Sequence, residues 1–588
     1  MRSPINFNVN IITGLSIIQA LSLFAGLVLS RPAGAWADPD KDSRTFQYFS
    51  LEFKNTAVDE IILEDLNNDG RLELIIQQQR KLDIYSLTAD VSAAPKWQQV
   101  SDFNLPVDVC LMDLADITGD KIPELVTITP AGISYFSFNN KSFADRPVHL
   151  LDIRTIALGS RLGGTDTPLF NKFLTDLDND GDVDMVIPAL SGQQADLIIV
   201  RQTSPDPIGG PAPMLIGASP AIFEVIQKIP VETANMIRIE ETLFEPLKTS
   251  IAFPLINFAD INGDKKVDLL MCQNDFISIR LQNDEGRFEL NRDILSQKLD
   301  FSLGKRSKSE QSNLAYQLGP LIKDINQDGG VDLVVSDEGE GLTAIFLNRG
   351  DFKSDQAAPV LVPPLAGQGG AETAAFFDSR KPEQIKRVKG WIINHQLTDL
   401  NNDGFQDLIL IQMHKVGVMG GLRLLLAQEV NWEINVYLAR PLIPLPDGHR
   451  GVGEAAKIKI YPDNPDYSRT FSVPFTASVS ASQFDFQTPC LLRFDGDFNN
   501  DGLKDLVVKD GPEDKIKIYF GNNNEIFNNE PAVSLPMSTP PDYLPVSKDK
   551  PYGEPIVADL DRNGKDDIIV LHRDFGSQNY FLDVFLMY

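Results

Sequence analysis

Short runs of apolar, β-forming residues recur along this chain, and each begins directly after a carboxylate. Leu74-Ile75-Ile76, Leu125-Val126, Met185-Val186-Ile187, Leu333-Val334-Val335, Leu506-Val507-Val508 and Ile568-Ile569-Val570 are the clearest. The residues ahead of each polar interruption are strand-like too, as in Ile61-Ile62-Leu63 and Pro555-Ile556-Val557. Runs this short, rich in branched side chains and bounded by Asp, Asn and Gly, predict strands joined in hairpins. After the first interruption come strands at Leu72 to Gln77, Leu82 to Tyr85 and Trp97 to Phe103.

The interruptions are one nine-residue loop written eight times. Its positions 1, 3, 5 and 9 are Asp65, Asn67, Asp69 and Glu73 in the first copy, and Asp116, Thr118, Asp120 and Glu124 in the second. The third has Asp176, Asp178, Asp180 and Asp184, the fourth Asp260, Asn262, Asp264 and Asp268. Then come Asp324, Asn326, Asp328 and Asp332, followed by Asp399, Asn401, Asp403 and Asp407. The last two are Asp497, Asn499, Asp501 and Asp505, and Asp559, Asp561, Asn563 and Asp567. Every one of these side chains carries oxygen, and positions 1 and 9 are always carboxylates.

Alternate residues of a tight loop turn toward one centre, so positions 1, 3 and 5 converge. Position 7 adds a backbone carbonyl and position 9 closes the shell. Six or seven oxygens at adaptable geometry suit Ca²⁺, whereas Mg²⁺ demands a stricter octahedron and keeps its water. The donor set contains no Cys or His, which argues against zinc and copper. The loops therefore predict up to eight structural calcium ions. The third loop, with four carboxylates, is expected to bind best, and the second, with Thr118 and Lys121, worst. Position 6 is Gly in six copies, where it tolerates a sharp turn; Lys121 and Lys265 replace it, and in the fourth copy Gly263 is expected to take over the turn. An EF-hand is excluded, because it needs a Glu at position 12 and helices on both sides.

This loop resembles that of the FG-GAP/VCBS repeat family, whose blades carry D-x-[DN]-x-D-G-x-x-[DE]-[LIV], as in the β-propeller of integrin α-chains. A second family element, an N-x-G-x-F-like turn between outer strands, stands in altered form at Asn139–Phe143, Asn283–Phe288, Asn348–Phe352 and Asn522–Phe527. The Phe-Gly and Gly-Ala-Pro landmarks that name the family are not evident, so the match is to its calcium-loop branch. The resemblance covers the chain from about residue 40 onward and implies an all-β propeller used for adhesion or assembly.

Successive loops begin between 51 and 98 residues apart, enough for a four-stranded blade of about 40 to 50 residues plus connections. Eight loops predict an eight-bladed propeller of four-stranded blades; seven blades with one degenerate repeat is the alternative. After the last loop only two strands remain, whereas Phe46 to Phe53 alternates Phe49, Leu51 and Phe53 with no blade of its own. This segment is expected to complete the last blade and protect its edge. The single propeller domain would span 38–588, with insertions near 202–249, 353–389 and 430–482. The first of these starts Pro-rich and then turns helical in pattern.

Residues 1–37 read as a secretory signal peptide: Arg2, an apolar run from Ile11 to Ser30, and small-x-small cleavage sites at Ala33-Gly-Ala35 and Ala35-Trp-Ala37. No later segment is apolar enough to cross a membrane. Export to the periplasm, cell surface or medium agrees with calcium loops that fill at extracellular concentrations. The net charge of −29 argues against nucleic acid and anionic lipid as partners, and much of it is ligand supply in the loops. Cys110, Cys272 and Cys490 are too few for a disulfide framework.

No nucleophile elbow, phosphate loop, dinucleotide fingerprint or zinc helix is present, and the five histidines are scattered. Arg349-Gly-Asp351 falls in one of the altered turns and is read as chance. The expected role is a monomeric, non-enzymatic binding or assembly module for a protein or polysaccharide. A calcium-dependent polysaccharide lyase is the alternative, because some lyases resemble this fold.

Overall fold

The computed structural model describes residues 46–587 apart from short connecting stretches and the longer segments 158–167, 204–221, 239–247, 290–298, 301–317, 349–359, 363–372, 415–428, 441–459 and 544–554. The signal-peptide reading, the Arg349-Gly-Asp351 tripeptide and Cys490 lie outside the described residues.

Among the described residues there are strands and no helices, arranged as eight four-stranded antiparallel blades in a ring. Blade one shows the plan. Glu60–Glu64 pairs with Glu73–Gln78 across the first acidic loop, and Lys81–Thr88 and then Lys96–Asn104 add in order. Blade seven repeats it with Leu492–Gly496, Asp505–Val508, Lys515–Tyr519 and Val533–Pro536.

Blade eight takes strands from both chain ends. Ile556–Ala558, Asp567–Arg573 and Tyr580–Met587 come from the C-terminal side. Phe46–Phe53 then lies antiparallel on Tyr580–Met587, in register from Phe46 opposite Met587 to Phe53 opposite Tyr580. The last blade thus leaves no free hydrogen-bonding edge on Tyr580–Met587.

The second strand of each blade runs through consecutive apolar residues after its leading carboxylate, because both of its faces are covered there. Successive side chains of a strand point to opposite sides. Leu74 and Ile76 accordingly enter the core shared with blade eight, among Ile569, Leu571, Leu582 and Val584. Ile75, between them, enters the core shared with blade two, among Met112, Leu114 and Phe136. Equivalent buried clusters lie at every other junction around the ring.

Three of the altered N-x-G-x-F turns, at Asn139, Asn283 and Asn522, are short hairpins, and the one beginning at Asn348 runs outside the described residues. Phe143, Phe288 and Phe527 are buried, and Asn283 Oδ1 accepts the backbone N–H of Glu285 and Arg287. One expectation is corrected. Ile222–Val231, read as the helical part of an insertion, is the fourth strand of blade three, paired with Gln194–Thr203. Its buried Phe223 and Ile229 each occupy alternate positions beside exposed neighbours, a period-two pattern that the apolar spacing over a longer window obscures.

Candidate metal loops

All eight acidic loops lie between the first and second strands of their blades, and all four oxygen-bearing positions of each are among the described residues. The loops share one backbone. Position 4 and position 6 both adopt left-handed φ in every copy, from 55° at Asn68 to 91° at Gly181. Gly263 therefore does not relieve Lys265: Gly263 sits at φ 75° and Lys265 at φ 69°, and Gly119 and Lys121 repeat this at 77° and 68°. Each loop needs two such residues, and a lysine carries one of them in copies two and four.

Side-chain oxygens hold the turn. The position 5 oxygen accepts the N–H of position 7 in all eight copies, at 2.8–3.0 Å. One oxygen of position 1 accepts the N–H of position 6 in copies two to eight, at 2.7–3.0 Å.

Position 9 is buried in every copy and carries a second duty that the loop motif does not announce. One of its oxygens accepts the N–H of position 2 in all eight loops, at 2.8–3.1 Å. From the third copy on, the other oxygen accepts a backbone N–H at or just past the end of the third strand, at 2.7–2.9 Å. In the first two copies the other oxygen of the longer Glu takes side-chain donors instead. Glu73 Oε1 accepts from Asn67 Nδ2 and Ser86 Oγ, and Glu124 Oε1 from Thr118 Oγ1.

Burial pushes these carboxyls up, to about 6 at Asp184, about 7 at Glu124, Asp268, Asp407 and Asp505, and about 8 at Asp332 and Asp567. The bonded N–H groups pull the other way, and acidic neighbours at positions 1, 3 or 5 of the same loop add to the rise. At position 9 of copies two to eight, burial together with these like charges thus outweighs the peptide donors.

Two observations bear on whether a cation fits. Carboxylate oxygens of Asp176, Asp178 and Asp180, and of Asp559, Asp561 and Asp567, lie within 4.8 Å of one another. Between them these groups contain positions 1, 3, 5 and 9. In the third loop, moreover, Asp176 Oδ1 and Asp178 Oδ1 are buried without a hydrogen-bond partner. Buried acceptors of this kind are costly unless something else satisfies them. The residues fit an oxygen-seeking cation.

The third loop also contains a competitor. Arg201, in the third strand of blade three, places Nη2 3.0 Å from Asp178 Oδ2. Its guanidinium offsets the extra carboxylate of this loop and leaves the charge that most other copies carry. Position 4 was likewise missed, because it offers no ligand. In copies three and five its side chain reaches the next loop round the ring: Asn179 Nδ2 donates to the Lys265 carbonyl at 2.7 Å, and Gln327 Nε2 to the Gly404 carbonyl at 2.6 Å. Arg562 closes the circle by donating to the Asp69 carbonyl, and a Cβ on Gly70 would collide with its guanidinium.

An all-β propeller with an acidic loop in the first hairpin of each blade is the class of protein that this fold and these loops define. Residues 497–570 match the family described as the FG-GAP-like repeat. No curated protein matches the chain. Among solved structures it is similar to an Agrocybe aegerita lectin described as recognising non-reducing terminal N-acetylglucosamine, at 12% identity and TM-score 0.31, over 81% of this chain and 79% of that one. It is also similar to the V. cholerae biofilm matrix protein Bap1, at 10% identity and TM-score 0.33, over 91% and 88% of the two chains. The Photorhabdus luminescens Tc holotoxin pore is matched at 11% identity and TM-score 0.25, over 87% of this chain and 18% of that one.

Proposed function

We propose that this chain is an exported, calcium-binding β-propeller that acts as a non-enzymatic binding or assembly module for a protein or glycan. The observation that carries the calcium part is the third loop, where two buried carboxylate oxygens without partners face a convergent, all-oxygen donor set. Calcium would be held by positions 1, 3, 5 and 9 and would supply the positive charge that these carboxylates lack. The binding part rests on the architecture: a ring tied at every blade junction is a stiff support, and segments that exceed a blade's needs are where such supports carry recognition. Among the described residues no helix is long and apolar enough to cross a membrane.

Calcium titration of metal-stripped protein by calorimetry, with melting followed in parallel, tests the first part. Heat uptake saturating at several ions per chain and a raised melting temperature are expected, with a weaker response to Mg²⁺; no heat and no shift would reject the reading. For the second part, the calcium-loaded protein is expected to capture one envelope protein or glycan and to release it on chelation. Release of unsaturated product from acidic polysaccharides, lost on chelation, would replace the binder by a lyase.

A further inference from the structure

Four of the eight loops are joined by a buried chain of hydrogen bonds that runs from blade to blade. The residue whose backbone N–H binds the position 9 carboxylate is Gln202 in blade three, Gln282 in blade four and Asn348 in blade five. Each sends its side-chain amide to the position 2 carbonyl of the preceding loop. Gln202 Nε2 reaches Ile117 O at 3.3 Å, Gln282 Nε2 reaches Leu177 O at 2.8 Å, and Asn348 Nδ2 reaches Ile261 O at 2.8 Å.

The same position 2 residues donate their N–H groups to their own position 9 carboxylates. One path therefore runs Asp332, Asn348, Ile261, Asp268, Gln282, Leu177, Asp184, Gln202, Ile117 and Glu124. Gln202, Gln282 and Asn348 are buried, so water does not compete for these bonds. The path has ends. In blades six, seven and eight the corresponding residues are Ala439, Gly521 and Met587, which keep the backbone bond and have no amide to extend it.

We propose that loops two to five fill with cations as a cooperative block, with Gln202, Gln282 and Asn348 as the couplers. The inference rests on the calcium reading above. A cation in one loop fixes its position 9 carboxylate and, through the bonded N–H, the backbone of the position 2 residue. The carbonyl of that same residue holds the side-chain amide from the next blade, and the backbone N–H of that Gln or Asn presets the next carboxylate. Ordering done at one loop is then not repeated at its neighbour, which is how shared order produces positive coupling. The second loop, with the poorest ligand set, gains most, since its neighbour is the four-carboxylate loop.

Native mass spectrometry of the full chain during calcium titration reads the number of ions on each molecule. Wild type is expected to show partly filled states of the block depleted relative to independent sites. Gln282→Met keeps the side chain's length and removes the amide. It should restore the missing states and raise the concentration that half-fills the block about fivefold. Gln202→Met should do the same at the junction between loops two and three, and serves if Gln282→Met does not fold. Independent filling in wild type, or an unchanged distribution in both variants, overturns the coupling. Absence of any bound ion instead overturns the calcium reading itself.

Discussion

The strain in these loops is held by single residues. A non-glycine residue at φ near 68° pays about 1–2 kcal/mol for its Cβ, and Lys121 and Lys265 both do so at a position where six copies have Gly. Lys121→Gly should therefore stabilise the chain by about 1 kcal/mol, part of the relief being lost to the freer unfolded state. Urea denaturation checks this, and an unchanged or lower midpoint would show that the lysine is held by other contacts. Arg201 sets a second expectation. With Asp178 freed in Arg201→Met, calcium affinity at the third loop should rise about tenfold, a gain of about 1.4 kcal/mol. Site counting by calorimetry reads it, and unaltered affinity would mean that the guanidinium yields without cost. The four oxygen-bearing positions of each loop were legible from sequence because their chemistry repeats with a fixed spacing. Arg201 was not, since it lies 23 residues beyond Asp178 and meets it only through strand pairing.

A hairpin with its acidic loop is the element that the motif describes, and position 9 is where the description was incomplete. Read as a ligand alone, it should matter only when a cation is present. In the structure it also binds the position 2 N–H and, in most blades, the N–H at the end of the third strand. Asp505→Asn replaces one accepting oxygen by an NH₂ group facing a donor, and should cost about 2 kcal/mol or more even in chelator. Asp501→Asn, at the exposed position 5, should cost little in chelator and show its effect only with calcium. Equilibrium unfolding of both variants with and without chelator separates a clamp from a ligand; equal losses in the two would reject the distinction. The second duty was hidden because its partner, Gly521, stands 16 residues away and contributes only backbone. Ile222–Val231 was misread for a related reason: its fourth-strand role depends on blade three beside it, not on its own apolar spacing.

At the scale of the whole ring, blade number and order were written in the repeats, whereas the junctions that make it rigid were not. Strand faces alternate between two neighbouring cores, so each blade is stable only with both neighbours in place. Phe46–Phe53 contributes Phe53, Phe49 and Leu51 to one junction and Phe46 to another. Deleting it should lower the melting temperature by roughly 5–10 °C, from the apolar burial lost over a chain of this size; unchanged melting would show that blade eight does not depend on it. Protons act on the ring as a whole. The position 9 carboxyls of copies two to eight sit between about 6 and about 8, above the ordinary carboxylate range. A raised value means that the folded state holds protons more tightly than the unfolded one, so this stabilisation is complete in acid and is lost as pH rises through those values. Metal-stripped protein should therefore lose stability from about pH 5 to about pH 8.5, over and above any general acid unfolding below that window. Calcium reverses the sign of the argument, because a divalent cation favours the charged carboxylates and displaces the protons. Melting curves across this window should slope downward in chelator and level off with calcium. Calcium binding near pH 7 should release protons, seen as a heat that changes with the buffer's own ionisation enthalpy. A chain that gains stability across the window in chelator would place the carboxyl protons elsewhere than in the buried clamps.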